Sequence, residues 1–491
     1  MTSRRASHDG SRRRPPHMPG YHFRPDRNWI NDPFGFTKVG DRYHLFFQYN
    51  PLGPEPGIKH WGHAVTQDLV RWEILPMALS PTDGGPDEGE CWSGSITTLV
   101  EPPHLFYTGV RHDPRRGRIE VVCLALGDQD LRSWQKHPDV LIPGPPGELD
   151  TVGFRDPFVW RDRDRWCLLV GSGIRGYGGA VLLYRPADLQ RWHFDGVFFS
   201  LAAGQGDIDT GPMWECPQFF PLGDRHVLLL SVDSPGHPTL YVVGRLDGGR
   251  FTAERIGRLD VGPDLFAPAS MVDDGRPLLI AWAREARSND AQIAAGWSGV
   301  MTLPRALALG PDARLCSTPA RELSRLRGRH WQAAAIGLPS GVDVVLPVTG
   351  SRLEVVAIVR TGGASVIGLR LRMSPDGREM TVFSVDVSTG RVSFDRTASS
   401  SAPDAMRGTY GGVDGWLPGE RIRLHVFIDE SLLELFVDET LALTGRVYPT
   451  REDSLGIAAF AVGGAAEIEA IDVWQVEVEA SADPRTADHP S

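Results

Sequence analysis

The stretch Asp68-Leu69-Val70-Arg71-Trp72 returns as Asp130-Leu131-Arg132-Ser133-Trp134 and as Asp188-Leu189-Gln190-Arg191-Trp192, at intervals of 62 and 58 residues. A second series keeps the same beat. Asp32, Ser93 (in Trp92-Ser93-Gly94-Ser95), Asp156, Glu215 and Ala267 (in Phe266-Ala267-Pro268) follow one another at 61, 63, 59 and 52 residues. Five segments with a period of about 60 residues fit five blades of four short strands each, a β-propeller. The repeated Asp-Leu-x-x-Trp unit is read as structural, with Asp holding a turn before a strand and Trp packing within or between blades.

A propeller gives the second series a purpose. Its innermost strands converge on a central channel, so residues at the same phase of different blades meet there despite wide separation in sequence. Asp32, in Asn28-Trp29-Ile30-Asn31-Asp32-Pro33-Phe34-Gly35, would come from the first blade. Asp156, in Phe154-Arg155-Asp156-Pro157, and Glu215, in Trp214-Glu215-Cys216-Pro217, would come from the third and fourth. One acid before a proline is usually a turn or a cap. Three at one phase, each beside aromatic residues, predict a pocket of carboxylates that breaks a glycosidic bond. Like charges in such a pocket raise at least one carboxyl pKa, as an acid catalyst requires.

Composition agrees with an all-β chain and narrows its partners. The 491 residues include 39 Pro and 55 Gly, which punctuate short strands. A net charge of −11 argues against nucleic acid as a partner. No apolar run approaches the ~18 residues that span a bilayer. Five widely spaced cysteines (Cys91, Cys123, Cys167, Cys216, Cys316) give neither a disulfide framework nor metal-ligand spacing. Arg4-Arg5 resembles the start of a twin-arginine signal, but no apolar segment follows. A disordered basic tail over 1–19 and a cytoplasmic protein are expected. The propeller is expected over 20–319 and an amphipathic connector over 320–336. Strand-like alternation over 337–478, as in Arg352-Leu353-Glu354-Val355-Val356-Ala357-Ile358, predicts a β-sandwich. A disordered tail over 479–491 would complete the chain.

The motifs together resemble glycoside hydrolase family 32, the invertase, inulinase and levanase group. Trp29-Ile30-Asn31-Asp32-Pro33 is similar to its nucleophile motif. Phe46-Phe47-Gln48-Tyr49-Asn50-Pro51, His60-Trp61-Gly62-His63-Ala64, Trp92-Ser93-Gly94-Ser95, Phe106-Tyr107-Thr108-Gly109, Arg155-Asp156-Pro157 and Glu215-Cys216-Pro217 follow in the family's order. Asp429-Glu430-Ser431-Leu432-Leu433-Glu434-Leu435-Phe436-Val437 and Arg446-Val447-Tyr448-Pro449 resemble its sandwich signature.

The resemblance implies a five-bladed propeller with a C-terminal β-sandwich that cleaves β-fructofuranosides with retention, without metal or cofactor. Asp32 would be the nucleophile, Glu215 the acid/base, and Asp156 the group that holds fructosyl hydroxyls, with Arg155 fixing the field around them. Asn31, Gln48 and Ser93 would line the sugar pocket. Trp61 and Trp92 would either offer flat faces to the sugar or wedge between blades. His60 and His63 are read as structural, and Cys216 either as small-residue packing or as a group that tunes the acid. Phe34 and Pro56 depart from the family pattern. Both are expected at the pocket mouth, with Phe34 filling space that Pro56 leaves open and so relaxing leaving-group preference. A fructosyltransferase with the same acids, a pentosidase of a related propeller family and a non-catalytic sugar-binding propeller are the alternatives.

Overall fold

Apolar residues in runs of four to six, bounded by Gly- and Asp-containing turns, form five antiparallel sheets in chain order. The structure, a computed structural model, describes residues 15–204 and 208–477. Blade one contains Asn28–Val39, Arg42–Asn50, His60–Thr66 and Glu73–Leu79. Blade two contains Glu90–Thr97, His104–Asp113, Gly117–Gly127 and Trp134–Lys136, and blade three Thr151–Asp162, Arg165–Ile174, Gly178–Asp188 and Arg191–Ser200. Blade four contains Trp214–Leu222, Arg225–Val232, Thr239–Asp247 and Arg250–Arg258. Blade five is built from Leu265–Asp273, Arg276–Ala283, Arg305–Leu309 and Leu315–Pro319, with Val300–Met301 added to its second strand. The ring closes where Trp297–Ser298 pairs in parallel with Asn28 and Trp29, so blade one includes chain from beyond blade five.

The second strand of blade four shows why the apolar runs are continuous. Successive side chains of a strand point to opposite faces. Leu228 and Leu230 therefore pack with Leu169 and Val181 of blade three, while Val227 and Leu229 pack with Leu279 and Ala281 of blade five. Neighbouring blades cover both faces, and no polar alternation is left.

The repeated unit is structural, with one substitution of roles. Asp68 accepts from the N–H of Val70 (3.0 Å) and Arg71 (2.8 Å), and Asp188 from that of Gln190 (3.0 Å). In the middle copy the turn is held by Asp128, which accepts from Arg132 (2.8 Å) and Ser133 (3.0 Å). Trp134 of blade two sits edge-on to Phe46 of blade one, and Trp192 of blade three edge-on to Phe106 of blade two. Each tryptophan is a wedge against the preceding blade.

The sandwich has two six-stranded sheets. One runs in the order Arg327–Leu338, Ala466–Val476, Arg352–Arg360, Arg421–Asp429, Leu432–Val437 and Leu441–Arg446. The other runs Val344–Thr349, Gly456–Val462, Val366–Met373, Thr381–Asp386, Val392–Asp395 and Thr409–Gly412. Alternating residues such as Leu353, Val355 and Ala357 meet Ile367, Leu369 and Leu371 in one core. Two boundaries differ from expectation. The connector is only a 3₁₀ turn, Arg321–Leu326, and the sandwich's first strand starts at Arg327, because Trp331 and Ile336 have a sheet edge to pack on. Residues 15–19, expected within the tail, pack against the sandwich: Met18 is buried and Ser431 donates to the His17 carbonyl at 2.6 Å. The tail residues 1–14 and 478–491 lie outside the described residues.

Buried charges fasten the sandwich to the propeller. Asp429 accepts from the backbone N–H of Gly20, Tyr21 and His22 at 2.6–3.0 Å, and the His22 ring bridges Asp429 and Glu434 at 2.9 and 3.0 Å. Glu434 also binds Arg305 (2.6 Å), which reaches Asp260 at 2.9 Å. Asp264 pairs with Arg396 at 2.7 Å.

Candidate active site

Each acid stands beside a break in its strand. Blade pairing slips between Ile30 and Pro33, between Arg155 and Phe158, between Glu215 and Gln218, and between Phe266 and Ala269. In the last three the residue just before proline takes a left-handed φ: Asp156 at 61°, Cys216 at 50° and Ala267 at 49°. Such bulges re-aim side chains at the rim of a sheet. They also correct the expected phase. Cys216, not Glu215, occupies the position of Asp156, and Glu215 occupies that of Arg155.

That offset places unlike groups side by side. Arg155 Nε donates to Glu215 Oε1 at 2.7 Å, and its other end reaches Glu120 at 3.3 Å. The Cys216 backbone N–H donates to Asp156 Oδ2 at 2.9 Å, and its thiol lies 3.5 Å from Asp156 Oδ2 and 3.8 Å from Asp32 Oδ2. Gln48 Nε2 donates to Ser93 Oγ (2.7 Å), which donates to Asp32 Oδ2 (3.2 Å). Asp32, Asp156 and Glu215, from three blades, therefore share one pocket with Ser93, Gln48, Arg155 and Cys216.

Electrostatics follow from burial and crowding. Asp32 is pushed up to about 8, first by burial and then by the charges of Glu215 and Asp156, against the Ser93 hydroxyl and Lys59. Asp156 rises to about 7 by burial and the Glu215 charge, opposed by Arg155. Burial also pushes the Cys216 thiol well up, so it is a neutral donor between two carboxyls. The carboxyl Oδ1 of Asp32 and the amide Oδ1 of Asn31 are buried acceptors with no protein donor. An unmet buried acceptor is costly until a ligand supplies a donor.

The aromatic residues divide. Trp61 is 0% exposed, packs on Phe34 at 4.0 Å and donates Nε1–H to the Trp92 carbonyl at 2.9 Å. It has no face to offer a sugar, so its assignment to substrate binding is corrected to wedging between blades one and two. Phe34 is also buried, against Trp61, and does not fill the pocket mouth. The slip after Asp32 turns it away from the channel. Trp92 is partly exposed, ties Nε1–H to Glu90 at 2.6 Å, and presents its ring to Lys59, Arg118 and Arg155. Pro56 is exposed in the loop that Trp29 N–H anchors at the Gly53 carbonyl. His63 stacks on Phe46 and meets His44 at 3.0 Å, a buried structural pair, and burial pulls its pKa down to about 3.

Sequence reasoning missed Lys59, Glu120, Thr108 and Arg284. Thr108 Oγ1 accepts from the Asp156 N–H at 2.8 Å, and Glu120 Oε2 from the Phe154 N–H at 2.6 Å. None sits in an acid–proline motif, and each arrives from a loop or from a later strand of a blade. Among the described residues no group of three His, Cys, Asp or Glu is arranged to hold a metal ion. No helix among them is long and apolar enough to cross a membrane.

Comparison with known proteins places this geometry. Residues 22–319 match the glycosyl hydrolases family 32 N-terminal domain, and residues 322–475 match the family 32 C-terminal domain. The chain belongs to glycosyl hydrolase family 32. Within family 32 it is 33% identical to sucrose-6-phosphate hydrolase of Zymomonas mobilis, over 94% of this chain and 92% of that protein. It is also 33% identical to raffinose invertase of Escherichia coli, over 93% and 95%. The crystal structure of fructan 1-exohydrolase IIa from Cichorium intybus superposes with a TM-score of 0.84 at 28% identity, covering 94% of this chain and 98% of that one. The same plant enzyme has been solved with 1-kestose, and a Bombyx mori family 32 β-fructofuranosidase with sucrose. This chain is accordingly a glycosyl hydrolase with a propeller and a sandwich.

Proposed function

We propose that the enzyme hydrolyses terminal β-D-fructofuranosides with retention through a covalent fructosyl-enzyme. Asp32 attacks the anomeric carbon as Glu215 gives its proton to the departing glycosidic oxygen. Glu215 then takes a proton from the water that releases fructose. Asp156 holds fructosyl hydroxyls and, with Arg155 fixing the orientation of Glu215, stabilises the positive charge that develops on the ring. Asn31 Oδ1 and Asp32 Oδ1, buried acceptors without donors, fit sugar hydroxyls. The observation that carries the reading is the meeting of Asp32 and Asp156 at Cys216, both raised towards neutrality, with Glu215 held beside them by Arg155. Turnover on this mechanism requires a proton on Glu215 and the charge on Asp32. Retention further requires these two carboxyls about 5–5.5 Å apart in the complex. Five cysteines without a disulfide support a reducing compartment such as the cytoplasm.

The test is Glu215→Ala. Hydrolysis of natural fructosides should slow roughly 10²–10⁴-fold. A fructoside with an activated leaving group should lose far less in its first step, and azide should speed breakdown of the trapped intermediate. Equal losses on both substrates without an azide effect remove Glu215 from this role.

A further inference from the structure

We infer that the seam between propeller and sandwich binds a small inorganic anion, of chloride size and charge, at the guanidinium of Arg372. The site is separate from the catalytic channel and does not depend on which glycoside is cleaved. Arg372 stands near the end of the sandwich strand Val366–Met373, where pairing with Gly456–Val462 slips between Arg370 and Met373. A left-handed φ of 50° at Arg372 accompanies the slip, a bulge of the kind that re-aims a side chain. The residue is only 6% exposed, yet its Nε and Nη1 are buried with no acceptor among the described residues. Three carboxylates, Glu430, Glu379 and Asp429, act on it from a distance, and each is bound elsewhere. Asp429 is taken by His22 and three backbone N–H groups. Glu430 accepts from Ser351 (2.8 Å) and Arg352 (3.1 Å). Glu379 accepts from the N–H of Ser401 and Thr450, both at 3.0 Å, and from the Ser454 hydroxyl at 2.8 Å.

The surroundings are cationic. Burial and then the charges of Arg287, Arg372 and Arg446 pull the His17 pKa down to about 4, with Asp404 opposing. Arg287 and Arg446 share one carboxylate, Glu285, at 2.9 and 3.4 Å, and that carboxylate also accepts from Tyr448 at 2.6 Å. Arg446 is fully buried and leaves its own Nε without an acceptor. A buried guanidinium that bonds nothing is strongly unfavourable, and an anion supplies acceptor and charge together. Water supplies an acceptor without the charge. A phosphate dianion would lose far more hydration on entering so enclosed a place, so a monovalent ion fits best. His17 is tied to the sandwich through Ser431, so the ion would firm the segment that precedes the blade bearing Asp32.

The experiment follows thermal unfolding of the full chain as chloride replaces gluconate at constant ionic strength; gluconate is too large for the site. A ligand that binds only the folded state raises the midpoint with the logarithm of its concentration. Once the site begins to fill, the wild type should gain about 1–3 °C for each tenfold rise in chloride. Arg372→Met should lose this response. In gluconate it should melt at or above the wild type, because it removes an unpaired charge, and in high chloride below it. Asp9, the one acid among residues 1–14, is the rival source of negative charge, and Asp9→Asn should leave the chloride response in place. Should Arg372→Met fail to fold, wild-type crystals soaked in bromide decide: an anomalous peak beside Arg372 supports the site, and peaks confined to the surface overturn it. A wild-type midpoint indifferent to the exchange, a chloride response kept by Arg372→Met, or one abolished by Asp9→Asn overturns it as well.

Discussion

The catalytic channel and the seam between propeller and sandwich both bury carboxylates, yet surround them differently. In the seam each acid has cationic or N–H partners: Asp429 has His22 and three backbone N–H groups, and Glu434 has Arg305 and His22. Despite full burial, both carboxyls are held below their ordinary values. In the channel Asp32 has one hydroxyl and a thiol, and two neighbouring acids. Its value is raised. Desolvation is common to both regions, and at Asp264 of the seam it outweighs the Arg396 pairing and raises the carboxyl; what separates Asp429 and Glu434 from Asp32 is the set of donors the fold supplies. Withheld donors leave acceptors free for substrate, at a cost to stability that the seam helps offset.

The sharpest way to break the comparison is Asp32→Asn. The amide keeps the shape and removes the charge of the proposed nucleophile, so activity should fall about 10⁴-fold or more. The folded pKa is raised, to about 8 from 3.8. The stability from that proton is complete below the unfolded value and is lost as pH rises towards 8. The mutant should therefore melt higher than wild type at pH 8 by an amount worth about 1 kcal/mol or more, and show little gain at pH 4. A mutant that melts lower at pH 8 contradicts the account of the channel.

The seam should respond in the opposite sense. Glu434→Gln leaves Arg305 and His22 short of charge in the interior and should cost roughly 3–5 kcal/mol, read by urea unfolding. Because Asp429 and Glu434 have lowered values, their contribution is present above the ordinary carboxylate range and lost as pH falls through the folded values. His22 is raised, so its share is present below 6.5 and lost as pH rises through its folded value. A loss under 1 kcal/mol would show that the seam charges are idle.

The smallest expected effect lies between the two acids that Cys216 touches. Cys216→Ser exchanges a weak donor for a stronger one, which favours the ionised carboxyls. On the proposed mechanism Asp32 attacks in its ionised form, so the acid limb of kcat/KM should move to lower pH by roughly 0.5–1 unit. An unmoved limb, with turnover retained, removes the thiol from the electrostatics of the site.

Sequence alone reached the propeller because its period survives in residues that must recur, the turn acids and the wedge tryptophans. It reached the three acids because proline marks the bulges that aim them. It failed where a one-residue slip decides the face. Phe34 read as a pocket residue from its place in the motif beside Asp32, and Trp61 as either a sugar platform or a wedge from its flat ring, yet the break between Ile30 and Pro33 sends Phe34 into the wedge between blades against Trp61. The offset of Glu215 against Asp156 was hidden for the same reason, since even spacing does not reveal which residue takes the left-handed conformation. Arg284 and Glu120 had no local signal, because only the closed ring brings them near the acids.

That closure also sets an order of events during synthesis. The strand that bears Asp32 leaves the ribosome early, but the partner of its inner edge, Trp297–Ser298, comes much later. Asp429, which caps the N–H groups ahead of that strand, follows Tyr21 by 408 residues. At roughly 5–20 residues per second, those 408 residues take about 20–80 s to emerge. Through that interval the first blade exposes an unpaired edge, a template for pairing with other chains. A polypeptide cut short before residue 429 lacks the anchor for the segment around Tyr21, so translation must pass residue 429 before the blade that carries Asp32 is whole.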